Sequence, residues 1–315
     1  MDSEHNLKIK GYGDPFLVSE VWEKCADLVA AKVRVFEDLV LDDTYFSHRI
    51  SIPGCDGSTN PYDAPVGALC INFNTIFFDR DQGGEVASAE PQTPMIPFAL
   101  DKIESLGLKK GRHAFINNSR EAALYAGELF LHFLRKRGVA CRGGTRMGAV
   151  EPRDRLIHTY RSRFTLEQVL KKMLKFSSNF IANQICISLG ARQWGPPGTL
   201  PKGVRVIRDY AGKVLNLRDV LIVEGSGVSR KNRISAIDML SVLGQFLPYR
   251  HLLVKKNEFS YKTGTLMGIR ARSGYFDGGH GDPSYFVVFL DNSGSEMESL
   301  MKCIKEVLTN PDMDI

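Results

Sequence analysis

The stretch Glu258-Phe-Ser-Tyr-Lys262-Thr263-Gly264-Thr265-Leu-Met-Gly-Ile-Arg-Ala-Arg-Ser-Gly-Tyr275 decides the fold. Phe259, Tyr261 and Thr263 are β-formers at alternating positions. A second β-rich run, Ser284-Tyr-Phe-Val-Val-Phe-Leu290, follows across a Gly/Asp/Pro turn and is expected to be its partner. Lys262-Thr263-Gly264 is the chemically informative part. A cation and a hydroxyl side by side on an edge strand can hold a carboxylate, and a residue without a side chain lets a ligand backbone lie close.

N-terminal to this strand, Ile234 to Leu247 has helical spacing, Glu224-Gly-Ser-Gly-Val-Ser229 reads as a tight loop, and Val214 to Val223 has strand character. Gly195-Pro-Pro-Gly-Thr199 is a rigid turn. Thr165-Leu-Glu-Gln168 fits a capping box, and Leu166, Val169, Leu170, Met173 and Leu174 follow on one helical face. That helix delivers Phe176-Ser177-Ser178-Asn179, after which Phe180 to Leu189 resumes an apolar helix. By itself, Ser177 to Asn179 between two apolar runs reads as a helix break with caps.

The basic, glycine-bearing stretch Arg142 to Arg163 marks a domain boundary, giving an accessory region over 1–142 and a second domain over 143–315. Before it, Ala122 to Arg135 is amphipathic and stops at Lys136-Arg-Gly138, a cation-then-glycine ending. Leu7 to Lys10, Leu39 to Leu41, Pro65 to Ile71 and Thr75 to Phe78 read as strands, and Val18 to Val35 as a helix. Ser51 to Ala64 and Asp79 to Pro97 read as loops.

The chain of 315 residues has 41 Lys plus Arg against 36 Asp plus Glu, a net charge of +5 that does not argue for nucleic acid. Aromatic residues are nearly absent from the arginine run at 142–163, which reads as a solvated linker. The six cysteines form no C-x-x-C pair and read as buried thiols; neither a metal site nor a cofactor is expected. Gly225-Ser-Gly227 lacks the remainder of a nucleotide loop. No run is apolar and long enough for a signal segment or a membrane span.

Eight segments in order carry a resemblance: Gly11-Tyr-Gly-Asp-Pro15, Leu39-Val-Leu-Asp-Asp-Thr-Tyr-Phe46, Ala64-Pro-Val-Gly-Ala-Leu69, Leu124-Tyr-Ala-Gly127, Met173-Leu-Lys-Phe-Ser-Ser-Asn179, Gly195-Pro-Pro-Gly-Thr199, Gly225-Ser-Gly-Val-Ser-Arg230 and Lys262-Thr-Gly-Thr265. Together they resemble the DacB-type low-molecular-mass penicillin-binding proteins, serine D-alanyl-D-alanine carboxypeptidase/endopeptidases with inserted domains. The resemblance implies an α/β (α+β) protein containing part of a transpeptidase/β-lactamase-like antiparallel sheet with flanking helices, plus an inserted accessory domain. It implies acyl-enzyme chemistry on peptidoglycan stem peptides ending in D-Ala-D-Ala, in a periplasmic or other extracytoplasmic location. Ser177 would relay the leaving-group proton, Asn179 would orient substrate and lysine, and Lys262 with Thr263 would hold the terminal carboxylate. Gly264 would give the substrate backbone room, and Thr265 would supply an oxyanion donor from its backbone N–H. Ser178 stands where the family often has Asp.

The family's nucleophile motif, S-x-x-K, precedes all of these segments, so the chain is expected to lack its nucleophile and to be inactive as it stands. The sole S-x-x-K in the sequence is Ser299-Leu-Met-Lys302. There Met297, Leu300, Met301, Ile304 and Leu308 form the apolar helix face, and Ser299 and Lys302 point away from it. β-Lactams would acylate the protein only where a nucleophile is present. A sheet lacking its first strands would expose an apolar edge, which makes a homo-oligomer possible. The rival reading is a non-catalytic peptidoglycan-peptide binding or scaffold protein that keeps the carboxylate shelf and does no chemistry.

Overall fold

The computed structural model describes residues 1–278, 282–291 and 296–309, so part of the turn expected before Ser284 lies outside the described residues. The chain divides into two compact units. Unit 1 comprises residues 1–165, 179–206 and 224–226, and unit 2 comprises 166–178, 207–223 and 227–315. The cut expected at 142/143 therefore falls inside unit 1. It lies between two short strands, β7 (Ala140–Cys141) and β8 (Thr145–Met147), that pair with strands from the first forty-two residues.

Unit 1 is built on a parallel sheet in the order β1 (Leu7–Lys10), β3 (Leu39–Asp42), β8. The central strand β3 reads Leu-Val-Leu-Asp and is buried throughout, as a strand covered on both faces must be. Its aspartate, Asp42, is fully buried and satisfied by Thr44, the Val150 N–H and the Lys10 ammonium at 3.1 Å. Two helices, α1 (Ser19–Ala30) and α3 (Ser119–Lys136), pack together, and α3 lies on β3 and β8. Trp22 of α1 packs at 4.7 Å and a tilt of 49° against Phe130 of α3, and its indole N–H donates to Ala126 O at 2.7 Å. Asn118 caps α3 by accepting from the Glu121 N–H, and Gly138 ends it with φ +74°, the left-handed turn anticipated from Lys136-Arg-Gly138. The strand β2 (Val35–Phe36) pairs with β7. A small antiparallel sheet, β5 (Val86–Ser88), β4 (Thr75–Arg80) and β6 (Gly111–Ala114), follows with α2 (Pro97–Ser105); within the stretch 79–97 read as loop it orders β5 and the end of β4.

Pro65 to Ile71 is not a strand. Its backbone is buried, yet side chains satisfy it: the Gln184 amide both accepts from the Gly67 N–H and donates to the Gly67 carbonyl, at 3.1 and 2.9 Å. An apolar run satisfied in this way carries the composition of a strand without a ladder.

Unit 2 centres on an antiparallel sheet ordered β12 (Ser284–Asp291), β11 (Ile269–Phe276), β10 (Phe259–Leu266), β9 (Val254–Lys256). The quoted stretch is a hairpin rather than one strand. Leu266 pairs with Ile269 across the two-residue loop Met267-Gly268, where Gly268 has φ +74°. Ser284 to Leu290 consequently pairs with β11 and not with the Lys262 strand. One sheet face carries Phe259, Phe276, Phe286 and Val288, which pack on Met297 and Met301 of α8 (Met297–Thr309). Phe259 lies 4.9 Å from Phe276 and 5.4 Å edge-on from Phe286. From α7 (Ala236–Phe246), Leu243 offers its carbonyl to the fully buried Tyr275 hydroxyl at 2.6 Å. Ser235 caps α7 by accepting from the Asp238 N–H.

Val214 to Val223 is not a strand either. The helix α6 (Leu200–Lys213), absent from the sequence reading, runs to its edge, and Asn216 turns the chain with φ +54°. Leu221 then makes a two-way bridge with Arg233, which is a turn closure and no sheet.

Candidate functional site

Lys262 and Ser177 meet in unit 2. The Lys262 ammonium donates to Ser177 Oγ at 2.8 Å and to its own neighbour's carbonyl, Thr263 O, at 2.7 Å. A lysine ammonium has three donors, so the pair of bonds fixes the nitrogen and leaves one hydrogen for a ligand. Burial disfavours the charge and lowers the Lys262 pKa below the ordinary 10.5. Among the described residues no carboxylate lies within ion-pair distance of it. A lysine held this way is hungry for an anion.

Ser177 reaches this position through the end of a helix. The helix α4 (Leu166–Phe176) starts directly after Thr165, as the capping box anticipated. It closes with Ser177 at φ +51° and the Ser178 N–H bonded back to Met173 O at 3.2 Å. This is the Schellman arrangement, in which the left-handed residue is usually glycine. A serine there carries strain of roughly 1 kcal/mol. The cap accounts for the chain reversal, while the choice of serine over glycine puts a hydroxyl beside Lys262.

Strand pleating decides what else faces this hydroxyl. Lys262 shares a face with Ser260 and Gly264, and Thr263 and Thr265 alternate to the face of Phe259 and Tyr261. Lys262 and Thr263 therefore project to opposite faces of β10 beside its free edge. That edge is open because β9 pairs only with Phe259, Ser260 and Tyr261. Thr263, Gly264 and Thr265 are exposed. An extended ligand can add there as a further strand with its backbone against β10.

Asn179 begins α5 (Asn179–Trp194) and belongs to unit 1, where its amide donates to Tyr62 O at 3.3 Å. Also in unit 1, Asn183 accepts from the Gly225 N–H at 2.8 Å. A side chain at Gly225 would collide with Cys186 Cβ at 2.7 Å and with Ala182 O. The loop Glu224-Gly-Ser-Gly is therefore anchored on α5 by a contact that only glycine permits. Sequence reading passed over Asn183 and Glu224. Glu224 is buried and receives Ser226 N–H and O–H, and an acid directly before Gly-Ser-Gly was the available signal.

In α8, Met297 and Met301 are buried while Ser299 and Lys302 are exposed, as the helical phase indicated. Leu300 departs from its expected place on the packed face and is 36% exposed. Of the six cysteines, Cys25, Cys70 and Cys186 are buried thiols, Cys55 and Cys141 are half-buried and Cys303 is exposed. No helix among the described residues is long and apolar enough to cross a membrane.

The sequence pattern of the D-Ala-D-Ala carboxypeptidase 3 (S13) family matches residues 107–252, a span that includes Ser177 and Asn179 and stops before Lys262. A D-alanyl-D-alanine carboxypeptidase of Actinomadura sp. (strain R39) is 25% identical over 92% of this chain and 66% of its own length. The D-alanyl-D-alanine carboxypeptidase DacB of Haemophilus influenzae is 25% identical over 94% of this chain and 74% of its own length. This chain thus spans about two thirds to three quarters of these relatives. The crystal structure of penicillin binding protein 4 (dacB) from Haemophilus influenzae superposes with a TM-score of 0.72 at 20% identity, over 96% of this chain and 82% of that one. The ordered motifs, the antiparallel sheet and these relatives agree in one likeness: the chain is similar to the DacB-type D-alanyl-D-alanine carboxypeptidases.

Proposed function

We propose that this chain serves the acyl-enzyme chemistry of these carboxypeptidases on peptidoglycan stem peptides ending in D-Ala-D-Ala, in the extracytoplasmic space where that polymer lies. The observation that carries the reading is the Lys262–Ser177 contact of 2.8 Å beside an open strand edge, in a chain whose relatives are D-alanyl-D-alanine carboxypeptidases. The substrate's terminal carboxylate pairs with Lys262 and Thr263, its backbone lies along Gly264 and Thr265, and Ser177 carries a proton between Lys262 and the leaving amine.

Within residues 1–315 the one S-x-x-K is Ser299 to Lys302, which faces solvent. A polypeptide of these residues alone is expected to bind the stem peptide without hydrolysing it, so its function by itself is that of a peptidoglycan-peptide binding protein. Calorimetric titration with a D-Ala-D-Ala peptide tests this. Saturable binding, weakened in Lys262→Ala, supports the reading; no binding to folded protein overturns it. Hydrolysis that disappears in Ser299→Ala would overturn the reading of Ser299 as a solvent residue.

A further inference from the structure

We propose that unit 1 carries a carbohydrate-binding face, on which the exposed rings of Tyr12 and Trp194 stack against sugar rings of the peptidoglycan glycan strand. The glycan is named on the strength of the stem-peptide reading, and the face uses none of the residues of the Lys262 site.

The turn that carries Tyr12 is immobile. Gly11 and Gly13 are both buried, and a Cβ on either would collide, at 2.3 Å from Ala68 O and at 2.5 Å from the Phe46 ring. The Gly11 N–H donates to Asp42 O at 2.9 Å and the Gly13 N–H to Ala68 O at 2.8 Å. Tyr12 nevertheless stands 63% exposed, so its phenol adds little to the core that its two neighbours seal. Beneath it lies an aromatic stack. The Tyr12 ring meets Tyr45 edge-on at 5.1 Å, and Tyr45 stacks at 5.7 Å on the buried Phe46. A side chain with few torsions, backed in this way, offers contact area at small entropic cost.

Trp194 stands on a second pinned turn. Gly195 reverses the chain with φ +76° directly after α5, and the Lys202 ammonium holds this turn through Gly195 O and Pro197 O at 2.7 and 2.9 Å. The Arg205 guanidinium lies 4.1 Å over the indole, which still exposes 41% of its surface. Backbone joins the two turns. The Gly198 N–H donates to Tyr45 O and the Ser47 N–H to Gly198 O, each at 2.8 Å, which ties the Trp194 turn to the segment that supports Tyr12. All of these residues lie within unit 1.

The bonds already made decide which ligand fits. The Gly11, Gly13 and Gly198 N–H groups are bonded within the chain, so they offer no ladder to an extended peptide. The Lys10 ammonium, 6.0 Å from the Tyr12 ring centre, is paired with Asp42 at 3.1 Å, and Arg205 is held on the indole. Neither cation is turned toward a polyanion. What remains on offer is aromatic faces. A pyranose ring presents a face of C–H bonds that packs on the electron-rich face of an aromatic ring, while its hydroxyls stay in water.

Tryptophan fluorescence tests this directly, because the only other tryptophan, Trp22, is 5% exposed. The probe is the β-linked tetramer of N-acetylglucosamine, which carries no peptide, added to the folded chain. Saturable binding with a blue shift of the Trp194 emission is expected. Tyr12→Ala, a change at an exposed position that keeps the fold, should weaken binding about tenfold, and Tyr12→Phe should restore most of it. Trp194→Ala should weaken it comparably, read by calorimetry because the fluorescent reporter is gone. No binding to folded protein, or equal affinity in the parent, Tyr12→Ala and Trp194→Ala, overturns the proposal. Tighter, ring-dependent binding of a proline-rich peptide overturns it as well. Lys262→Ala should bind the tetramer as the parent does. If the tetramer binds and a D-Ala-D-Ala peptide does not, the glycan face stands and the peptide function falls; if only the peptide binds, the glycan face falls and the peptide function stands.

Discussion

One edge of the unit 2 sheet ends in β9, three residues long with Lys255 and Lys256, and Lys255 lies 3.7 Å from Asp277. The other edge is β12, eight residues long, with no charge between Tyr285 and Leu290. The first edge is protected by brevity and charge, and where it opens, at Lys262 to Leu266, it exposes polar groups beside Ser177. The second has neither protection, and Tyr285 and Phe289 are each 40% exposed on it. Among the described residues the helices leave the gap open, since Ile237 of α7 is 70% exposed and Leu300 and Val307 of α8 are 36% and 38% exposed. The difference teaches that an open strand edge has two meanings. A short, polar opening is a place for a ligand, and a long apolar one is a surface that other polypeptide covers.

The largest effect that can break this comparison is one that removes both edges together. In β11, a Cβ on Gly274 would sit 2.1 Å from Ser260 O and 2.7 Å from Tyr261 Cα, against backbone that cannot retreat. Gly274→Ala is expected to cost about 3 kcal/mol and to abolish peptide binding, measured by chemical denaturation and titration. Next, the polypeptide is expected to self-associate through β12. Val287→Lys, a charge in the middle of that edge, should shift the population toward monomer in light scattering, whereas Lys256→Glu on the protected edge should not. If neither changes the mass, β12 is not the contact.

On the polar edge, Lys262→Ala should weaken stem-peptide binding roughly tenfold to a hundredfold, the usual span for a charged hydrogen bond. Ser177→Gly relieves the left-handed strain and gives back some unfolded-state freedom, so it should raise stability by about 0.5 kcal/mol. Lower stability in that variant would mean that the hydroxyl's bond to Lys262 outweighs the strain.

The smallest effect belongs to unit 1. Asp43 is 2% exposed, 3.2 Å from the exposed His48 ring, and burial raises its pKa above 3.8 in spite of that contact. The folded state therefore binds this proton more tightly, so the contribution is present below pH 3.8 and is lost as pH rises through the folded value. Asp43→Asn should raise the melting temperature at pH 7, and the difference should vanish below pH 3.8.

Long periodic elements were legible in the sequence because their signals are local. The α3 helix with its glycine stop, the start of α4 after Thr165, and the two faces of α8 all follow from period and capping. The hairpin at Met267-Gly268 was missed because one glycine within a β-rich run is a faint signal. Pro65 to Ile71 misled because its backbone partners come from Gln184, more than a hundred positions away. In the site, Lys262-Thr263-Gly264 and Ser177 were selected by type and order. Their separation by 85 positions gave no distance between them, and the 2.8 Å contact is a product of the fold.

The sequence by itself determined which residue types are present for the chemistry, the family they resemble, and that Ser299 and Lys302 face away from the packed side of their helix. Only the tertiary structure decided that Ser177 closes α4 in a left-handed turn, that β9 stops short and leaves Lys262's edge open, and that β12 is the other edge of the sheet. The physical reason is range. Periodicity and capping act within a few residues of chain, whereas a strand's neighbour, an edge's exposure and a lysine's desolvation are set by segments that meet only after folding.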